Sequence, residues 1–140
     1  MPDSFIDTNV FVYAFDQTAP QRRARAREIV RNAVARDGNS VISSQVVQEF
    51  LNVALTRFHT PLSPADARRY AHTVLLPMCR VWPSAELYDR AIGVHATTGF
   101  SFYDSLIVAA ALLAGCRELL TEDLQHGQEV EGLVIRDPFR

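Results

Sequence analysis

Lysine is missing: all fourteen basic residues of this 140-residue chain are arginine. Chemistry that needs an ammonium is excluded with it, including P-loop phosphate binding, Schiff-base catalysis and the lysine-assisted aspartyl phosphatases. Cysteine is scarce as well. Cys79 and Cys116 are the only two; they offer no metal-ligand spacing and no disulfide framework, which makes a reducing cytoplasm the expected compartment. The four histidines, His59, His72, His95 and His126, share no ligand-like spacing. No Gly-x-Ser-x-Gly elbow occurs, and Ser43, Ser44 and Ser101 read as helix caps. The start carries no signal-peptide pattern, and the longest apolar stretch, Leu106 to Ala114, falls far short of the ~20 residues that span a bilayer. A net charge of −2 argues against non-specific coating of nucleic acid.

Repeats, linkers and low-complexity segments are also absent, so residues 1–140 read as one domain. A chain of this size buries roughly 68–70% of the surface it would expose unfolded. Ser4 to Ile6 reads as a short buried strand, followed by a short apolar helix over Asn9 to Phe15. Pro20 opens a helix through Arg36, with Ala24, Ile29, Val30, Ala33 and Val34 expected inward and Gly38 as its stop. Ser40 to Ser43 is a second strand, and Ser44 to Phe58 carries Val46, Val47, Phe50, Leu51, Ala54 and Phe58 at helical spacing. Ser63 and Pro64 start a helix toward Leu76; Cys79 to Trp82 is a third strand; Ser84 to Thr98 and Phe102 to Ala114 are helices. Glu118 to Leu120 and Leu133 to Ile135 complete five strands. Alternation of this kind predicts an α/β domain with a mostly parallel sheet covered on both faces.

Four acids then become informative together: Asp7 in FIDTN, Glu49 in VVQEFLNV, Asp104 in FSFYDSLIV and Asp123 in LLTED. Each lies beside apolar sequence, where an ionised carboxylate is costly unless something meets it. Open α/β sheets build their sites outside the carboxyl ends of the strands. Asp7 follows the first strand, Asp123 the fourth, Glu49 sits near the start of the helix leaving the second, and Asp104 opens the helix returning to the fourth. All four placements converge on one edge. Singly, each has a plainer reading. Asp7 can cap the helix after it, Asp123 can make an Asx turn, and Ser101-x-x-Asp104 fits a capping box whose acid reaches back to the cap amide. Glu49, flanked by Val46, Phe50 and Val53, borders the buried face with no arginine three or four residues away. Carboxylates gathered without basic partners suit Mg²⁺ or Mn²⁺. Arg23, Arg27 and Arg31 recur every four residues, a stripe that is either a solvated face or a phosphate-tracking surface.

With these residues placed, the chain resembles the PIN-domain ribonucleases, and among them the small toxins of VapBC-type toxin–antitoxin pairs. The likeness runs through FIDTNVFVYAFD, VVQEFLNV, FSFYDSLIVAAALLAGC and LLTEDLQHGQEVEGLVIRDPF. It implies a three-layer α/β/α sandwich acting as a metal-dependent endoribonuclease. The family's metal-site acids fall on Asp7, Glu49, Asp104 and Asp123, with Asp7 and Asp104 as principal ligands and the other two completing the ring, through waters or by positioning the attacking hydroxide. Thr8, Asn9 and Thr121 match its supporting polar residues. Some members carry a further acid where this chain has Gln125. The likeness also implies an RNA substrate, a homodimer and a small antitoxin partner. Two other readings stand beside it: a phosphatase with Asp7 as covalent nucleophile, which Asn9 and the missing lysine disfavour, and a non-catalytic scaffold binding RNA or a partner.

Overall fold

Strand β1 (Ser4–Ile6) is wholly buried and lies at the centre of the sheet. The computed structural model describes residues 2–140. Around β1 stand β2 (Ser40–Ser43), β3 (Cys79–Val81), β4 (Glu118–Leu120), β5 (Glu129–Val130) and β6 (Leu133–Arg136), in the order β3-β2-β1-β4-β6-β5. All neighbours are parallel except β5, which runs antiparallel to β6. The chain builds outward from β1 through β2 to β3, then crosses back to place β4 against the other side of β1. The gap between β1 and β4 is therefore the topological switch point, where open α/β sheets form their clefts. Register pairs Phe5 with Leu119 and Ile6 with Leu120, so both strands end level.

Helices α1 (Thr8–Tyr13), α2 (Pro20–Ala35), α3 (Ser44–Thr56) and α4 (Pro64–Tyr70) follow β1 and β2. A π-helical turn over Ala71–Leu75 joins α4 to the short α5 (Leu76–Met78), where Pro77 denies the helix one amide. Past β3 come α6 (Ala85–Thr98) and α7 (Phe102–Leu113). Right-handed crossovers in opposite directions put α1 to α5 on one face and α6 with α7 on the other. Mutual packing of α1 with α2 and α3, and of α6 with α7, agrees. The expected three-layer architecture is therefore observed. No single helix among the described residues is long and apolar enough to cross a membrane. The apolar run that makes α7 conspicuous is a core helix, with Ile107 through Ala111 buried on every side.

Differences from the sequence reading are local. β5 was not expected, being only two residues long. The third strand stops at Val81, leaving Trp82 56% exposed. On α2 the buried stripe is Ala26, Ile29, Val30 and Ala33, while Ala24 and Val34 face solvent. A 3.6-residue period allows only one such stripe, and α1 selects it by packing there. Ser63, Ser84 and Ser101 each accept a bond from an amide in the first turn that follows. Ser43 does not cap α3; its Oγ is buried without a partner. Cys79 and Cys116 are buried and form no disulfide.

Candidate active site

β1 ends one residue before Asp7, whose amide donates to Leu120 O on β4 (3.0 Å) and ties it to the switch point. Its carboxylate caps α1 at the first amide: Oδ1 accepts from Thr8 N–H at 2.7 Å. Oδ2 accepts from the Thr121 hydroxyl at 2.7 Å. Thr121 is fully buried just beyond β4, and its Oγ1 also accepts from the Asp123 amide (3.0 Å) and from Asn9 Nδ2 (3.3 Å). One hydroxyl thus fixes Asp7, Asn9 and the backbone of Asp123 together. Thr8, in the first turn of α1, donates from Oγ1 to Glu49 Oε1 at 2.8 Å.

Asp7, Glu49, Asp104 and Asp123 all line a single cleft of about 460 Å³, with Thr8 and Asn9 in the same wall. Thr121 lies beneath it. Glu49 is exposed rather than at the edge of the core, and the partner its setting called for is Thr8. At Asp104 only half of the expected capping box forms. Ser101 Oγ accepts from the Asp104 amide (3.1 Å), but no return bond from the Ser101 amide to the carboxylate is found among the described residues. The acid is thereby left half-buried, without a bond to the cap amide. The four histidines and Gln125 lie outside the cleft.

Burial dominates the electrostatics. Asp7 is 6% exposed, and desolvation pushes its carboxyl up to about 7 against the hydrogen bonds from Thr121 and Thr8; the charges of Asp123 and Glu49 push the same way. Asp104 is raised by burial too, with Asp123 adding to it and a bond with Ser101 opposing it. No arginine or histidine lines the cleft. Asp7, Glu49, Asp104 and Asp123 therefore share the cleft without an ion-pair partner among the described residues.

Sequence reasoning missed Tyr13, Asp16, Gln45 and Glu122 in the same lining. Asp16 is engaged locally, accepting from Thr18 N–H (2.9 Å) and Thr18 Oγ1 (2.6 Å). Glu122 pairs with Arg22 and accepts from Tyr13 OH (2.8 Å). Of the cleft acids, Glu122 alone is paired with an arginine; the four the sequence singled out form no ion pair among the described residues. Adjacency to Asp123 was the only signal for Glu122, and its partner 100 residues away was invisible.

A family model for the PIN domain matches residues 4–128. The chain belongs to the PIN-domain family. Among curated proteins, Ribonuclease VapC23 of Mycobacterium tuberculosis is 27% identical to this PIN domain over 121 residues, covering 85% of this chain and 91% of the relative. Solved structures share the fold at lower identity. A toxin–antitoxin complex from Klebsiella pneumoniae superposes with a TM-score of 0.70 at 18% identity, covering 97% of this chain and 98% of that one. DNA-bound VapBC from Salmonella typhimurium gives 0.66 at 17%, covering 99% of each chain. VapC20 of Mycobacterium tuberculosis, a toxin that cleaves the sarcin–ricin loop, gives 0.63 at 17%, covering 86% of this chain and 92% of that one.

The donor set of this PIN domain suits a hard divalent cation. Every cleft donor is oxygen, and Asn9 Oδ1 is buried there with no partner, an acceptor left over. The carboxylates share the cleft without closing on a point: among the described residues no three acidic, histidine or cysteine side chains are grouped to hold a metal ion.

Proposed function

We propose that this PIN domain is a Mg²⁺- or Mn²⁺-dependent endoribonuclease and the toxin of a toxin–antitoxin pair. The observation that carries the reading is the cleft at the β1/β4 switch point, which gathers four carboxylates with no basic residue in its lining. Asp7 and Asp104 are the principal metal ligands, with Glu49 and Asp123 acting directly or through water. A bound ion supplies the acidity that ionises an attacking water and the positive charge that offsets charge building on the phosphodiester. The chain's own residues prepare for it. Thr121 orients Asp7 and anchors Asp123, Thr8 orients Glu49, and Asn9 leaves an oxygen free for a ligand water. An aspartyl phosphatase is disfavoured at Asn9, whose amide is engaged with Thr121 rather than offering a second acid.

Purified protein should cut single-stranded RNA with Mg²⁺ or Mn²⁺ and stop when EDTA is added. Undiminished cleavage in EDTA would overturn the metal mechanism, and a preference for Zn²⁺ would count against an all-oxygen site. RNA cleavage and the toxin role draw support from VapC23 being named a ribonuclease and from the toxin complexes that share the fold.

The partners follow the same reading. A small antitoxin covers the acidic cleft, with an arginine meeting the carboxylates. The protein acts in the cytoplasm as a homodimer. Tyr88, Phe102 and Tyr103 are exposed around one cavity and Ile92 follows one turn after Tyr88, an apolar surface of the kind that marks protein contacts. Expression alone should arrest growth, and coexpression with the adjacent small gene should give an isolable complex and restore it. A strictly monomeric protein that is harmless alone would defeat the toxin assignment.

A further inference from the structure

RNA brings a line of negative charge to a cleft that is itself acidic, and no cation lines that cleft. One stands at its rim. Arg22, in the first turn of α2, bonds to two residues of the lining: its Nη1 donates to Tyr13 OH at 2.8 Å and pairs with Glu122 Oε2. Tyr13 OH in turn donates to Glu122 Oε1 at 2.8 Å, closing a triangle. The guanidinium carbon lies 5.2 Å from the Tyr13 ring centre and 5.8 Å from that of Phe139, and the two rings meet edge-on at 4.9 Å. Two aromatic rings and a carboxylate therefore fix a side chain that is still 45% exposed.

Both hydrogen bonds use Nη1. The N–H groups of Nε and Nη2 find no partner among the described residues. That edge of an arginine is the planar fork that takes two oxygens of one phosphate. An exposed ion pair adds little to stability, so anchoring one guanidinium so firmly is poorly explained as a tie between α2 and the β4 loop. Arg23 extends positive charge along the same rim, where its field reaches Asp16. Arg27 does not contribute, because its Nε is spent on Ala14 O at 2.8 Å. Of the expected stripe of Arg23, Arg27 and Arg31, Arg27 is structural, and Arg22, which lies outside that stripe, is the arginine held at the cleft rim.

We propose that Arg22 is a phosphate-binding residue. Its unpaired Nε/Nη2 edge takes the non-bridging oxygens of an RNA phosphate flanking the one at the carboxylates, while Glu122, Tyr13 and Phe139 hold the guanidinium ready. This rests on the ribonuclease reading and extends it to how the strand is held.

The test compares wild type, Arg22→Ala and Arg22→Lys, each confirmed folded by its melting curve, on a single-stranded RNA that wild type cleaves or, without cleavage, binds by fluorescence anisotropy. Arg22→Ala should raise KM roughly tenfold, as loss of one bidentate contact does, and leave kcat nearly unchanged. The slope of log affinity against log salt should fall by about 0.7, the value for one phosphate contact on a single strand. Arg22→Lys, which keeps charge but not the fork, should fall between. A scan of single neutral methylphosphonate linkages should find one flanking position that weakens wild type and has no effect on Arg22→Ala, a coupling that a purely structural ion pair would not produce. Wild type active, with Arg22→Ala unchanged in KM, salt slope and methylphosphonate profile, overturns the assignment alone. Wild type that binds RNA with this profile but does not cut it overturns the nuclease reading and keeps the phosphate site. Wild type that neither binds nor cuts RNA overturns both.

Discussion

Asp7→Asn will abolish RNA cleavage and at the same time make the metal-free protein more stable above pH 7. Burial raises the Asp7 carboxyl from 3.8 to about 7. The folded protein therefore keeps a proton that the unfolded chain has already released, and stability from this group falls as pH rises through that window. It is highest below about 3.8 and the penalty is complete above about 7. At 1.36 kcal/mol per pH unit the full penalty is about 4 kcal/mol, an upper bound. Asparagine carries no charge and removes it. The substitution has its own cost. Asn Oδ1 still accepts from Thr8 N–H, but its amide now faces Thr121 Oγ1, which already accepts from Asp123 N–H and Asn9 Nδ2 and loses the acceptor for its own proton. One spoiled buried bond costs about 1–3 kcal/mol. The net gain at pH 8 is then about 1–3 kcal/mol, read as a melting temperature higher by several degrees. At pH 4 the penalty is nearly gone and the spoiled bond remains, so the variant should there be less stable than wild type by about 1–3 kcal/mol. Mg²⁺ should stabilise wild type by mass action and leave Asp7→Asn unmoved. A variant that is less stable at pH 8, or that responds to Mg²⁺ like wild type, would make Asp7 a helix cap and nothing more.

That Asp7 serves both as cap and as cleft carboxylate explains why sequence could find it without deciding its role. FIDTN advertises a strand end and a helix start, and both are present at Ile6 and Thr8. Periodicity and turn chemistry act over a few residues, so they located the five parallel strands, the long helices and the edge on which the acids meet. They were blind to relations that only the folded sheet creates. Thr121 reaching Asp7 across 114 positions is one, and Arg22 reaching Glu122 across 100 is another. β5 escaped because two residues carry no alternation to detect, and its pairing is set by β6 alone. Ala24 and Val34 were misplaced because an arginine-rich helix with scattered alanines has a poorly marked apolar face, leaving the choice of stripe to α1. The carboxylates were legible for the opposite reason. Charge beside strongly apolar sequence is a local anomaly, and it survives into the fold as a cleft whose four predicted acids lack an ion-pair partner among the described residues.

Asp104→Asn separates catalysis from capping more sharply than any other change, because the cap is now seen to lie elsewhere. Ser101 Oγ accepts from the backbone amide of residue 104, and that bond does not depend on the side chain at 104. The variant should therefore fold as wild type does. Without metal it should gain slightly in stability, since burial and the Asp123 charge both press the carboxyl toward its neutral form. The same change removes a formal charge that a hard cation requires. Removing even the residues that orient metal ligands commonly costs roughly 10–100-fold in affinity or activity, so loss of a ligand should cost roughly 100-fold or more. Ser101→Ala is the reciprocal control. It deletes the cap acceptor and should cost about 0.5–2 kcal/mol of stability, while activity per folded molecule stays close to wild type. Thermal melts and initial cleavage rates at saturating Mg²⁺ read both effects. If Asp104→Asn cleaves RNA at the wild-type rate with unchanged Mg²⁺ affinity, the ligand set loses its second principal member. Asp7, Glu49 and Asp123 would then have to hold the ion without a carboxylate from α7.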